Sequence, residues 1–221
     1  MSAIENKQTR VEAVLQLAPV VAVVVIESLA DAVPLARALV SGGIKAIEVT
    51  LRTPVALDAI RAIAAEVEGA VTGAGTLLTP GDIAAAEKAG ARFGVSPGST
   101  PRLLDAADDS SLPYLPGAAT ATEALCLLER GYRLQKFFPA TPAGGPDYLR
   151  ALASPLPGIR FCPTGGITAA SAPEWLALPN VICVGGSWLS TSKVLRAADW
   201  RAVEGLARTA AELHARSNLS A

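Results

Sequence analysis

Residues 46–67, AIEVTLRTPVALDAIRAIAAEV, hold one strand–loop–helix unit, and the rest of the chain repeats it. The unit opens on an apolar, β-branched run and passes Thr53-Pro54, an N-cap candidate followed by proline at the first helical position. It continues with Leu57, Ile60, Ile63 and Ala64 at helical spacing. Outward from it, further strand-like runs begin near Val20, Val71, Arg92, Pro113, Arg133, Ile159 and Val181. With Ala46 they are 20 to 26 residues apart, the length of a minimal βα unit. VVAVVVI (20–26) and VICVG (181–185) are apolar on both faces, as parallel strands covered by helices are. Residues 31–39 repeat the helical pattern. Thr79-Pro80 and Thr100-Pro101 repeat the start signal, and Gly42-Gly43, Gly90 and Gly131 supply stop signals. Eight units predict a (β/α)8 TIM barrel, with a doubly wound open sheet as the rival. The expected organisation is one barrel domain over 1–221, with an extra N-terminal helix at 1–17 (helical over 3–17), the barrel at 18–215 and a last helix at 199–215.

Composition removes several chemistries. There is one histidine, His214, in an expected terminal helix, so a Ser-His-Asp triad has no credible imidazole. Cys126, Cys162 and Cys183 have no metal-ligand or redox spacing, and the latter two read as small core residues. The 19 Lys and Arg nearly balance the 20 Asp and Glu, which gives no basic surface for nucleic acid. MSAIENKQTR lacks the apolar stretch of a secretory signal, and no apolar run approaches the 20 or so residues of a membrane span. The expectation is a cytoplasmic protein with reduced thiols and no metal or cofactor.

In this fold, chemistry sits where strands end. IEVTLRT (47–53) places Glu48, Thr50 and Arg52 on one side of a strand, toward the barrel interior, where charge is expensive. An internal Glu48–Arg52 ion pair that only fills space is the plain alternative to a working site. GAGT (73–76) offers glycines for close backbone approach and the Thr76 hydroxyl. SPG (96–98) and LPG (115–117) are turn signals first and pocket walls second. Lys136 is the most informative residue. It lies inside the apolar strand LQKFFP (134–139), whereas Lys7, Lys45, Lys88 and Lys193, the other four lysines, occupy helical or linking positions. It either snorkels from the barrel mouth or is a desolvated amine, kept nucleophilic toward a ketone by burial and a nearby cation such as Arg52. FCPTGGI (161–167) and VGGSWL (184–189) put Gly-Gly pairs after strands seven and eight, where backbone amides commonly bind phosphate.

Taken together and in order, IEVTLRT, GAGT, SPG, KFFPA (136–140), FCPTGGI and GGSWL (185–189) resemble the motifs of the KDPG/KHG family of class I aldolases, over roughly residues 18 to 190. KDPG is 2-keto-3-deoxy-6-phosphogluconate. The resemblance implies a Schiff-base aldolase that cleaves this sugar-acid phosphate to pyruvate and glyceraldehyde 3-phosphate in the Entner–Doudoroff pathway, usually as a homotrimer. It implies that Lys136 is the nucleophile and Glu48 the acid/base. Arg52 would bind the pyruvyl carboxylate with help from Thr76. Thr164 would contact the substrate near its reacting centre, and Pro97 and Phe138 would line the pocket. Gly165, Gly166, Gly185, Gly186 and Ser187 would hold the phosphate. Ala22 stands where many relatives have proline, and residues 141–152 also depart from the family pattern, which bears on the acceptor aldehyde more than on the reaction. The alternatives are action on 4-hydroxy-2-oxoglutarate or on the galactonate epimer, a metal-free isomerase, and a silent barrel that binds sugar phosphates.

Overall fold

The structure is a computed structural model, and it describes residues 2–213. His214 and the end of the expected last helix lie outside the described residues. Eight parallel barrel strands form within three residues of their expected starts. They are β1 (Val20–Val24), β2 (Ala46–Thr50), β3 (Val71–Gly75), β4 (Gly94–Val95), β5 in two halves (Tyr114–Leu115 and Gly117–Ala118), β6 (Leu134–Phe137), β7 (Arg160–Pro163) and β8 (Val184–Gly186). β8 pairs with β1, setting Val21 beside Gly185, and this joins the two ends of the chain's sheet. β7 meets β8 through the bridges Phe161–Val181 and Thr164–Gly185. The sheet therefore curls into a barrel, not into the open doubly wound alternative.

The break in β5 changes one expectation. LPG is not a strand end but a kink within the fifth strand. Pro116 has no N–H to give to the ladder. Below it Tyr114 and Leu115 pair with Gly94 and Val95 of β4. Above it Gly117 and Ala118 pair with Lys136 and Phe137 of β6.

Strand alternation sorts the core into two. Val20, Val24, Ile47, Val49, Phe137, Phe161 and Val184 face outward and pack under the helices. Val21, Ala46, Phe93, Val95, Leu115, Leu134, Cys162 and Cys183 form an inner cluster. That inner cluster is completed by Val11 and Leu15 of α1 (Ala3–Leu15), so the N-terminal helix closes the bottom of the barrel. Lys7 anchors α1: its Nζ donates to the carbonyls of Ala107 and Asp108, at 2.9 and 2.6 Å, in the last turn of α5 (Pro101–Asp109). These are carbonyls that a helix end leaves unpaired.

Most start and stop signals behave as expected. Thr79 and Thr100 accept the N–H groups of Asp82 and Leu103, and Gly43, Gly90 and Gly131 take positive φ after helices. Thr53 does not cap. Its hydroxyl donates instead to the carbonyl of Ile26 at 2.6 Å, and the helix of that unit begins at Ala56. Among the described residues no helix is long and apolar enough to cross a membrane.

Candidate active site

Glu48 and Lys136 meet inside the upper barrel. β2 turns Glu48 inward, β6 turns Lys136 inward, and Lys136 Nζ lies 3.0 Å from Glu48 Oε1. Both are almost fully buried, at 3% and 4% exposure. Burying two charges costs several kcal/mol per ion, which the pair's attraction offsets only with good geometry, so removing one partner leaves a costly orphan. The Phe138 ring completes the amine's surroundings, its centroid 5.4 Å from Nζ. The Phe138–Pro139 peptide bond is cis.

The space for this pair is made by glycine. A Cβ on Gly75 would overlap the Glu48 carboxylate, and one on Gly73 would overlap the Phe93 ring. The glycines of GAGT thus make room for inward side chains, a role that their sequence alone does not separate from backbone approach to a substrate. Thr50, fully buried, donates its hydroxyl to the Val24 carbonyl at 3.0 Å and ties β2 to β1.

Arg52 does not join the buried pair. β2 ends at Thr50, so Arg52 stands exposed at the mouth, where its Nε donates to Thr76 Oγ1 at 3.0 Å. The internal Glu48–Arg52 pair is therefore replaced by Glu48–Lys136, and the group touching the amine is a carboxylate, not a guanidinium. Thr76 has φ of 61°, a left-handed conformation that is an outlier for a β-branched residue and costs on the order of 1–3 kcal/mol. Such strain persists where the surroundings demand it, and here it accompanies the bond to Arg52.

On the other side of the mouth, Thr164 is buried and extends β7 beside Gly185. A Cβ on Gly185 would overlap the Thr164 hydroxyl, and one on Gly186 would overlap the Trp188 ring. Gly165 and Gly166 take φ of 107° and 79°. A Cβ on Gly165 would stand 3.3 Å from the Phe138 ring. Among the described residues, the N–H groups of Gly165, Gly166 and Ser187 have no protein acceptor, and Gly166 and Ser187 are exposed. Pro97 is half-buried against the backbone of Gly117, the register partner of Lys136. All the expected site residues thus gather at one end of the barrel. Thr141 was not among them: its side chain lies 2.8 Å from where a Cβ of Gly166 would be, and its N–H donates to the Gly165 carbonyl at 3.0 Å. Its signal in the sequence was only its place just after KFFPA. Cys162 and Cys183 sit lower, in the inner cluster, where their mutual hydrogen bond and burial push the Cys183 thiol up. That is the behaviour of inert core thiols.

The chain is similar to known proteins in sequence and in fold. The sequence model of the KDPG and KHG aldolase family matches residues 11–206. The KHG/KDPG aldolase of Escherichia coli K12 is 48% identical over 208 residues, covering 94% of this chain and 98% of the relative. The crystal structure of the 2-keto-3-deoxy-6-phosphogluconate aldolase of Zymomonas mobilis superposes with a TM-score of 0.88 at 46% identity, over 91% of this chain and 96% of that one. The KDPG aldolase of Legionella pneumophila, solved with pyruvate captured as a covalent carbinolamine, also gives 0.88, at 44% identity over 90% and 97% of the two chains. This chain belongs to the KDPG and KHG aldolase family.

Proposed function

We propose that the chain is a class I aldolase that cleaves 2-keto-3-deoxy-6-phosphogluconate to pyruvate and glyceraldehyde 3-phosphate through an imine on Lys136. The observation that carries this reading is the buried amine held 3.0 Å from a buried carboxylate at the mouth of the barrel. Glu48 is placed to take a proton from Lys136, which frees the amine to attack the C2 ketone. The carbinolamine then loses water, with Glu48 returning the proton to the departing hydroxyl. The resulting iminium is the electron sink. Glu48, directly or through a water, takes the C4 hydroxyl proton as the C3–C4 bond breaks. The aldehyde leaves, the electron pair rests in the pyruvate enamine, and protonation at C3 followed by hydrolysis restores Lys136. The carbinolamine that pyruvate forms in the Legionella relative supports the covalent route.

Arg52, held by Thr76 through Nε, keeps the rest of its guanidinium for the substrate carboxylate. Thr164 lies near the reacting centre, and Pro97 and Phe138 wall the pocket. The amides of Gly165, Gly166 and Ser187, with Gly185 and Gly186 behind them, hold the phosphate. A cytoplasmic homotrimer is the assembly the family resemblance favours, and sedimentation tests it.

Borohydride reduction in the presence of pyruvate tests the nucleophile. The wild-type protein should gain a stable adduct and the Lys136→Ala variant none. A second substrate has a specific observation behind it, since the Escherichia coli relative is named for both KHG and KDPG. Side-by-side cleavage assays with the gluconate, its galactonate epimer and 4-hydroxy-2-oxoglutarate separate the readings.

A further inference from the structure

The barrel ladder between β5 and β6 has a missing rung, and a side chain of α1 fills it. Going down β6, Phe138 N–H donates to Ala118 O at 3.1 Å and Lys136 N–H to Pro116 O at 2.8 Å. In a parallel ladder the next rung would run from Leu134 N–H to Tyr114 O. It does not form. Gln8 stands between the two groups, its Oε1 accepting Leu134 N–H at 2.8 Å and its Nε2 donating to Tyr114 O at 3.3 Å. Gln8 is 1% exposed, so both bonds are made in the dry interior, where an unpaired backbone group costs about 1–3 kcal/mol. On the other side of Gln8, away from β5, a cavity of about 230 Å³ lies between α1, the start of β6 and the chain entering β7, lined among others by Glu12, Leu134, Gly158 and Arg160.

We infer that Gln8 is a positioning residue for Lys136. It acts as a wedge that sets the spacing and tilt of β6 at its base, two residues below the nucleophile on the same face. This inference rests on the aldolase reading above. The link is geometric. Lys136 is held to β5 at the kink and above it, by its own N–H on Pro116 O and by the pairing with Gly117 and Ala118, and the strand below it is held to β5 through the carboxamide of Gln8. With the wedge gone, Leu134 and Tyr114 either close into a direct rung or take up water, and either outcome moves the base of the strand. Catalytic geometry is sensitive to displacements of this size, since about 1 Å can cost about 100-fold in rate.

The test compares Gln8→Met, which keeps the volume and loses both bonds, with Lys7→Met, which loosens the same helix at α5 instead. Pyruvate imine formation is followed by borohydride trapping, well below the melting temperature of each variant. Gln8→Met should slow trapping about tenfold with the KM for pyruvate nearly unchanged, while Lys7→Met lowers thermal stability and keeps the wild-type trapping rate. Amide hydrogen exchange, read without pyruvate, should quicken at Leu134 and Lys136 in Gln8→Met only. Gln8→Asn, too short to span both groups, serves if Gln8→Met does not fold and should show a smaller slowing. An unchanged trapping rate in the Gln8 variants overturns the inference, as does equal slowing in the Lys7 and Gln8 variants. A wild-type protein that forms no pyruvate imine overturns the aldolase reading instead, and unchanged exchange at Leu134 and Lys136 in the Gln8 variants then overturns the wedge on its own.

Discussion

The lower and upper layers of the barrel interior are built by the same strands two residues apart, and their chemistry is opposite. β6 sets Leu134 below and Lys136 above, β2 sets Ala46 below and Glu48 and Thr50 above, and β7 sets Cys162 below, with Thr164 just past its end above. The lower layer is apolar and closed by Val11 and Leu15 of α1. The upper layer holds a charged pair and opens on Arg52 and the glycine loops. The difference shows how a small barrel divides its work along the strand axis. One end supplies hydrophobic burial, and the other spends some of that stability on a buried ion pair and a strained threonine.

Substitutions in the two layers should therefore separate activity from stability. The largest effect on cleavage, short of removing the nucleophile, belongs to Glu48→Gln. Loss of the acid/base group should lower kcat by about 10²–10⁴-fold while some pyruvate imine still forms. An activity within a few-fold of wild type would remove Glu48 from the chemistry. Gly75→Ala should come next, because its methyl group needs the space of the Glu48 carboxylate. It should cost about 1–3 kcal/mol of stability, as overpacking does, and about 100-fold in rate through displacement of Glu48. Steady-state kinetics beside a denaturant titration would read both. Ser187→Asp should raise KM for the phosphorylated substrate by about tenfold, about 1.4 kcal/mol, because the added carboxylate repels the phosphate at the retained amides, with less effect on pyruvate proton exchange. Equal losses for both substrates would argue against phosphate at Gly165, Gly166 and Ser187. In the lower layer, Leu15→Ala should lower unfolding free energy by about 2–5 kcal/mol and leave kcat at 25 °C unchanged. A matching fall in kcat would show that the layers are coupled beyond the one link that Gln8 makes at the base of β6.

Much of this division was legible in the chain. The eight strand starts follow from apolar, β-branched runs at βα spacing, because local periodicity records burial. Lys136 stood out because a lysine inside an apolar strand has no cheap structural use. Other features depend on partners distant in sequence. The partner of Glu48 lies 88 residues away, so alternation alone could not choose between Arg52 and Lys136. Arg52 escaped the interior because β2 stops two residues before it, and strand ends are where periodic patterns are least informative. Thr53 had the residue type of a cap, but its hydroxyl was claimed by the Ile26 carbonyl in the loop after β1. The kink at Pro116 read as a strand end, since a proline marks a lost donor without saying which neighbour loses it. Gln8 gave no signal at all: a lone glutamine on an amphipathic helix is ordinary until both strands it joins are in place.

The central claim is that the buried amine of Lys136 is the nucleophile. Incubation of the wild-type protein with pyruvate and borohydride, followed by peptide mapping, tests it directly. The account predicts a single reduced pyruvyl adduct on the peptide containing Lys136 and none in Lys136→Ala. An adduct on another lysine, or an undiminished adduct in Lys136→Ala, would contradict it.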